Sequence, residues 1–110
     1  MISLNLDRLI RQFLVHSYLY YQVGESIIGD ENYDRVCVHL TKAVEGQDKY
    51  LYQNIVEKCL GAEGSGYKIR KKEYPPEIVS TALHLLYQDK FAETKSFREF
   101  LSSYGYGVSA

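Results

Sequence analysis

The chain has 110 residues, is 45% hydrophobic and 25% charged, and carries a formal net charge of −1. That size suits one domain with a real core rather than two, and the balanced charge excludes a global pull toward nucleic acid or an anionic membrane. Eleven tyrosines without a tryptophan are the one compositional oddity.

The first periodic segment starts near Ser3 or Asn5 and runs to about Val23, with Leu6, Leu9, Ile10, Phe13, Leu14, Tyr18 and Tyr21 at helical spacing. Gly24 stops it. A second helix runs from Asp30, read as its N-cap, to about Glu45, turning Tyr33, Val36, Cys37, Leu40 and Val44 inward before Gly46. A third spans about Asp48 to Leu60, its stripe made by Tyr52, Ile55, Val56, Cys59 and Leu60. Gly61–Gly66 reads as a flexible loop. The alternation in YKIRKKEY then predicts a short extended piece or hairpin edge near 67–74.

Pro75-Pro76 opens a fourth helix with Ile78, Val79, Ala82, Leu83 and Leu86 inward. Ser96-Phe97-Arg98-Glu99 is a capping-box pattern that introduces a short last helix carrying Phe97, Phe100 and Leu101. The tail from Tyr104 reads as loose. The expected fold class is mainly α, a small single-domain helical bundle over 1–110. Helices three and four should pack on one and two, with one core through Leu9, Phe13, Val36, Leu40, Ile55, Val79 and Leu83.

Cys37 and Cys59 lie on core faces and read as buried reduced thiols, not as a disulfide framework or metal site. The opening MISLNLDRLIRQ lacks signal-peptide features, and no apolar run reaches membrane-spanning length. A cytoplasmic location without a membrane partner is the expectation.

One stretch gathers chemistry, from His16 to Arg35. A tyrosine-rich helix end with His16, Tyr20 and Tyr21 meets a helix start with Asp30, Tyr33 and Asp34. Aromatic faces beside carboxylates suit a flat, positively charged ring, because ring quadrupole and anion attract the same partner. On the residues alone the plainer alternative stays open: tyrosines that pack two helices together, and an Asp30 that only caps. His16 is read either as a ligand contact or as a histidine bonded to nearby backbone.

The series His16, Tyr20-Tyr21, Asp30, Tyr33-Asp34 resembles the start of bacterial NAD-dependent DNA ligases, the small helical segment known as domain Ia. The resemblance covers roughly the first forty residues. It divides the chain into a ligase-like helix-loop-helix over 1–46 and additional helices over 47–110. It departs from the family in the loop, where Gly24-Glu25-Ser26 replaces the usual Asp-Ala-Pro. The resemblance implies a grip on the nicotinamide mononucleotide (NMN) half of NAD. Tyr20 and Tyr21 would supply ring faces, Tyr33 would stack or donate its hydroxyl, and Asp30 and Asp34 would bond ribose or amide and balance the cationic ring. The ligases carry their reactive lysine in a Lys-x-Asp-Gly motif in another domain, and this sequence contains no such motif. Nor does it show a nucleophile elbow or a Cys/His pairing with recognisable context. A non-enzymatic role is therefore expected.

After the glycine-rich stretch, Lys68, Arg70 and Lys72 mark a basic segment that reads mainly as a solvated face, with contact to an anionic partner as the alternative. Three functions follow from these residues. The first is a free-standing module that binds NMN or NAD. The second is a protein-interaction factor of the kind found as phage or mobile-element regulators and inhibitors of host enzymes or defence complexes. The third is an accessory subunit of a split NAD-dependent ligase.

Overall fold

A computed structural model describes residues 4–60 and 66–106. Among the described residues there are five α-helices: α1 Leu4–Ser17, α2 Asp30–Val44, α3 Gln53–Leu60, α4 Pro76–Leu86 and α5 Phe97–Ser103. No strand occurs among the described residues. Two of the helices do not end as α-helix. α1 widens into a π-helical turn over Tyr18–Val23, and α4 does the same over Tyr87–Phe91.

Helix α1 is central, because it packs against α2, α4 and a short 3-10 turn at Gly66–Lys68. The run from Phe13 through Leu19, which continues from α1 into the π-helical turn, is buried on every side. Buried residues from all five helices join one hydrophobic cluster, with Phe13, Val36, Leu40 and Leu83 inside it. Leu9, Ile55 and Val79 are partly buried against it, so the expected set of core residues does come together. The inward face of α2 is the one its periodicity predicted: Tyr33, Val36, Cys37, Leu40 and Val44. At α5 the capping box forms, with the Glu99 N–H donating to Ser96 Oγ at 3.2 Å and the Ser96 N–H to Glu99 Oε1 at 2.9 Å.

Several boundaries and one element differ from expectation. Helix α3 begins at Gln53, not Asp48, because Tyr52 holds a positive φ of 52° and cannot continue a right-handed helix. The Tyr52 carbonyl instead accepts the N–H groups of Ile55 and Val56, and its hydroxyl donates to Glu77 on α4. Asp30 is not the N-cap of α2. Gly29 occupies that position with φ 83°, and Asp30 lies in the first turn, where the helix dipole still favours its charge.

The stretch expected as extended or hairpin folds instead as two 3-10 turns, Gly66–Lys68 and Lys71–Glu73. Its backbone donors find local acceptors: the Arg70 N–H reaches Glu73 Oε1 at 2.8 Å and the Ile69 N–H reaches Gly66 O at 3.1 Å. With these groups satisfied locally, no neighbouring strand is required. The residues 61–65 of the expected loop and the tail residues 107–110 lie outside the described residues. Tyr104 and Tyr106, expected to be loose, are packed on the core, and the Tyr18 and Tyr106 hydroxyls are hydrogen-bonded. No helix among the described residues is long and apolar enough to cross a membrane.

Candidate tyrosine and carboxylate corner

The π-helical turn sets the geometry of the corner. A continuous α-helix would keep Tyr21 on the face of Leu14 and Tyr18, as its spacing predicts. The wider turn shifts the phase, so Tyr18 and Leu19 are buried while Tyr20 and Tyr21 emerge. Each of the two emerging rings is 38% exposed. Gly24, at φ 82°, closes the turn by donating its N–H to the Leu19 carbonyl.

The three residues that depart from the ligase pattern each do local work. Gly24 supplies the left-handed cap. Ser26 Oγ accepts the Gly29 N–H at 3.1 Å. Glu25 accepts Lys90 Nζ at 3.0 Å and the Tyr104 hydroxyl at 3.2 Å, which ties the loop to the C-terminal part of the chain.

Tyr33 does not sit with the exposed rings as a ligand contact. It is only 5% exposed, because its hydroxyl is drawn into a buried network. That hydroxyl lies 2.7 Å from Ser17 Oγ and accepts the Gly66 N–H at 3.0 Å. Gly66 is required by packing: a Cβ there would stand 2.4 Å from Ser17 Oγ. The Tyr33 ring forms the floor of the corner. Tyr20 stacks on it at 5.5 Å and 23°, and Tyr21 meets it edge-on at 6.2 Å. Tyr20 and Tyr21 are themselves edge to face at 4.8 Å. No slot remains between Tyr20 and Tyr33, so only the outer ring faces can receive a partner.

Asp30 and Asp34 are both exposed at the start of α2. The charge of Asp30 is the largest influence on the Tyr20 phenol, raising its pKa above the usual 10, and a hydrogen bond to Asp30 and the charge of Asp34 act in the same direction. Tyr20 therefore stays a neutral donor beside two anions. His16 is buried at the end of α1, and burial lowers its pKa from 6.5. A neutral, buried imidazole is a wall of the core rather than an open contact.

Sequence reasoning missed the residues beneath the corner: Ser17, Gly66, Gln22 and Tyr74. Gln22 donates from Nε2 to the Ile69 carbonyl at 3.3 Å. Tyr74 packs its ring edge-on to Tyr18 at 5.0 Å, and its hydroxyl is buried without a hydrogen-bond partner among the described residues. No local pattern marks any of the four, because each owes its position to a contact between distant segments. Lys68, Arg70 and Lys72 are all exposed along the 3-10 segment. Elsewhere, an open depression of about 350 Å³ on α4 and its π-helical turn is lined by Ser80, Thr81, His84, Leu85 and Gln88. Its imidazole is stacked on Phe97 at 4.2 Å.

No group of three or more metal-ligating side chains occurs among the described residues. No protein-family model matches the chain, and neither a curated protein nor a solved structure does.

Proposed function

We propose that the chain is a non-catalytic binding module whose corner takes a flat, cationic aromatic ring, with the NMN end of NAD as the ligand. The observation that carries this reading is the pairing of two half-exposed rings, Tyr20 and Tyr21, with two exposed carboxylates, Asp30 and Asp34. A pyridinium ring on the outer face of Tyr20 or Tyr21 gains cation–π attraction of about 0.5–1 kcal/mol at such an exposed site. The carboxylates add charge balance and acceptors for ribose hydroxyls. In this reading Tyr33 and His16 support the corner from below and do not touch the ligand. Affinity is weak to moderate, because an open face covers little of a ligand that a cleft would enclose.

The test is an NMR titration with NMN, with its reduced form, whose ring carries no charge, and with AMP. NMN should move the signals of Tyr20, Tyr21, Asp30 and Asp34 and bind more tightly than the other two. Equal responses to all three, or none at Tyr20 and Asp34, sink the proposal.

A second reading is favoured by the Tyr20–Tyr33 stack, which closes the slot a planar ligand would enter. In it the same rings and carboxylates receive an arginine or lysine of a partner protein, and the chain acts as an interaction factor. Titration with an arginine-rich peptide that shifts the corner, where NMN does not, would select it.

A further inference from the structure

The end of α5 sends two tyrosines to the π-helical turn that carries Tyr20 and Tyr21. Gly105 takes a left-handed φ of 81°. Its N–H donates to the Ser102 carbonyl at 3.0 Å, and the Tyr106 N–H donates to the Leu101 carbonyl at 2.9 Å. This pair of bonds closes the helix and fixes the direction of the residues around it. The Tyr104 hydroxyl donates to Glu25 Oε2 at 3.2 Å, and the Tyr106 hydroxyl is hydrogen-bonded to that of Tyr18. Lys90 reaches the other Glu25 oxygen at 3.0 Å. The Tyr104 ring is itself seated against Phe91 and Phe100, at 6.0 and 5.2 Å.

The turn, Tyr18–Val23, lies between these two anchors. Inside it the Leu19 carbonyl accepts the Gly24 N–H, five residues on, and the Glu25 N–H at 2.9 Å. In an α-helix the Gly24 N–H would reach the Tyr20 carbonyl instead. Exchanging one pattern for the other turns everything beyond it by about 100°, the angle of one residue in a helix of 3.6 per turn. Tyr18 is held in place by Tyr106 and by its ring contact with Tyr74 at 5.0 Å. An α form would therefore swing Glu25 away from Lys90 and Tyr104, so both anchors hold together only in the π form. The same exchange would return Tyr21 to the inward face of Leu14 and Tyr18.

We propose that Lys90, Tyr104 and Tyr106 are positioning residues that hold the Tyr18–Val23 turn in its π form and so keep Tyr21 beside Tyr20 at the surface. The turn is then an element with two states, and the C-terminal part of the chain biases it toward the open one. Whatever draws the two C-terminal tyrosines away closes the corner. The inference concerns the exposure of the rings, so it holds whichever partner the corner takes.

The experiment reads the hydrogen bond of Gly24 directly, by NMR scalar coupling across it in the isotope-labelled full chain. The native chain should show coupling from the Gly24 nitrogen to the Leu19 carbonyl carbon, and a soluble paramagnetic probe should broaden the Tyr21 ring signals. The variant K90A/Y104F/Y106F removes both anchors and leaves every residue of the turn unchanged. In it the coupling should move to the Tyr20 carbonyl, and the Tyr21 signals should be protected from the probe. A merely structural role would lower the unfolding midpoint and leave the coupling on Leu19. If the triple variant does not fold, as judged by circular dichroism, K90A/Y104F decides the matter, since it keeps the Tyr18–Tyr106 bond; coupling to Tyr20 should then appear beside that to Leu19. Coupling to Leu19 alone in the folded variant, with Tyr21 as exposed as in the native chain, overturns the proposal, as does coupling to Tyr20 in the native chain.

Discussion

Tyr33 and Tyr74 allow the same atom to be removed from two buried rings with opposite results. Each is at least nine-tenths buried, at 5% and 4% exposure. The Tyr33 hydroxyl is bonded to Ser17 Oγ and to the Gly66 N–H, while the Tyr74 hydroxyl has no partner among the described residues. Burial accordingly pushes the Tyr74 phenol pKa well above 10, with further contributions from the neighbouring Tyr33 and Cys59. A buried polar group left unpaired costs about 1–3 kcal/mol in desolvation. Tyr74→Phe removes that cost and keeps the ring contact with Tyr18, so it should stabilise the fold by about 1 kcal/mol. Tyr33→Phe leaves Ser17 Oγ and the Gly66 N–H without their partner and should cost about 2–3 kcal/mol. In a domain of this size the first change corresponds to a rise in Tm of about 4–8 °C. Urea unfolding followed by circular dichroism measures both, with unchanged m-values as the check that only stability moved. A Tyr74→Phe variant that loses 1 kcal/mol or more would refute the reasoning, because the hydroxyl would then have a partner such as a bound water.

Other changes follow from the same geometry. Gly66→Ala places a methyl group against Ser17 and should destabilise by about 1–3 kcal/mol, read as an earlier urea midpoint. Because burial lowers the His16 pKa, the unfolded chain takes up a proton first as pH falls below 6.5. The His16 contribution should therefore reduce stability as the pH goes from 7 toward 5, and a His16→Gln variant should show a flatter profile over that range. On the proposed function, Asp34→Asn should weaken NMN binding by about three-fold or more without shifting the unfolding midpoint, since its side chain is exposed, whereas Tyr20→Ala should weaken binding as much and also lower the midpoint, because it uncovers the Tyr33 ring on which Tyr20 stacks. Ser96→Ala removes the cap of α5 and should cost about 1 kcal/mol, measured by thermal melting.

Periodicity and capping chemistry were enough to read the helices. The inward face of α2 and the capping box of α5 depend on interactions within a few residues of one another, so the local sequence carries them. The same holds for the gathering of Tyr20, Tyr21, Asp30 and Asp34, which needs only a helix end, a short loop and a helix start. Tertiary contacts decided the rest. Periodicity turned the Tyr33 ring inward, but the partners of its hydroxyl are Ser17 one helix away and Gly66, thirty-three positions along the chain. The exposure of Tyr21 depended on a π-helical turn, which breaks the period that had placed it inward. The basic segment became 3-10 turns because Glu73 satisfied the Arg70 N–H and Ile69 and Tyr74 were buried, conditions that an alternating pattern does not encode. A helix face follows from residues three and four apart, but the seat of a single tyrosine hydroxyl is settled by whichever distant donor the fold brings to it.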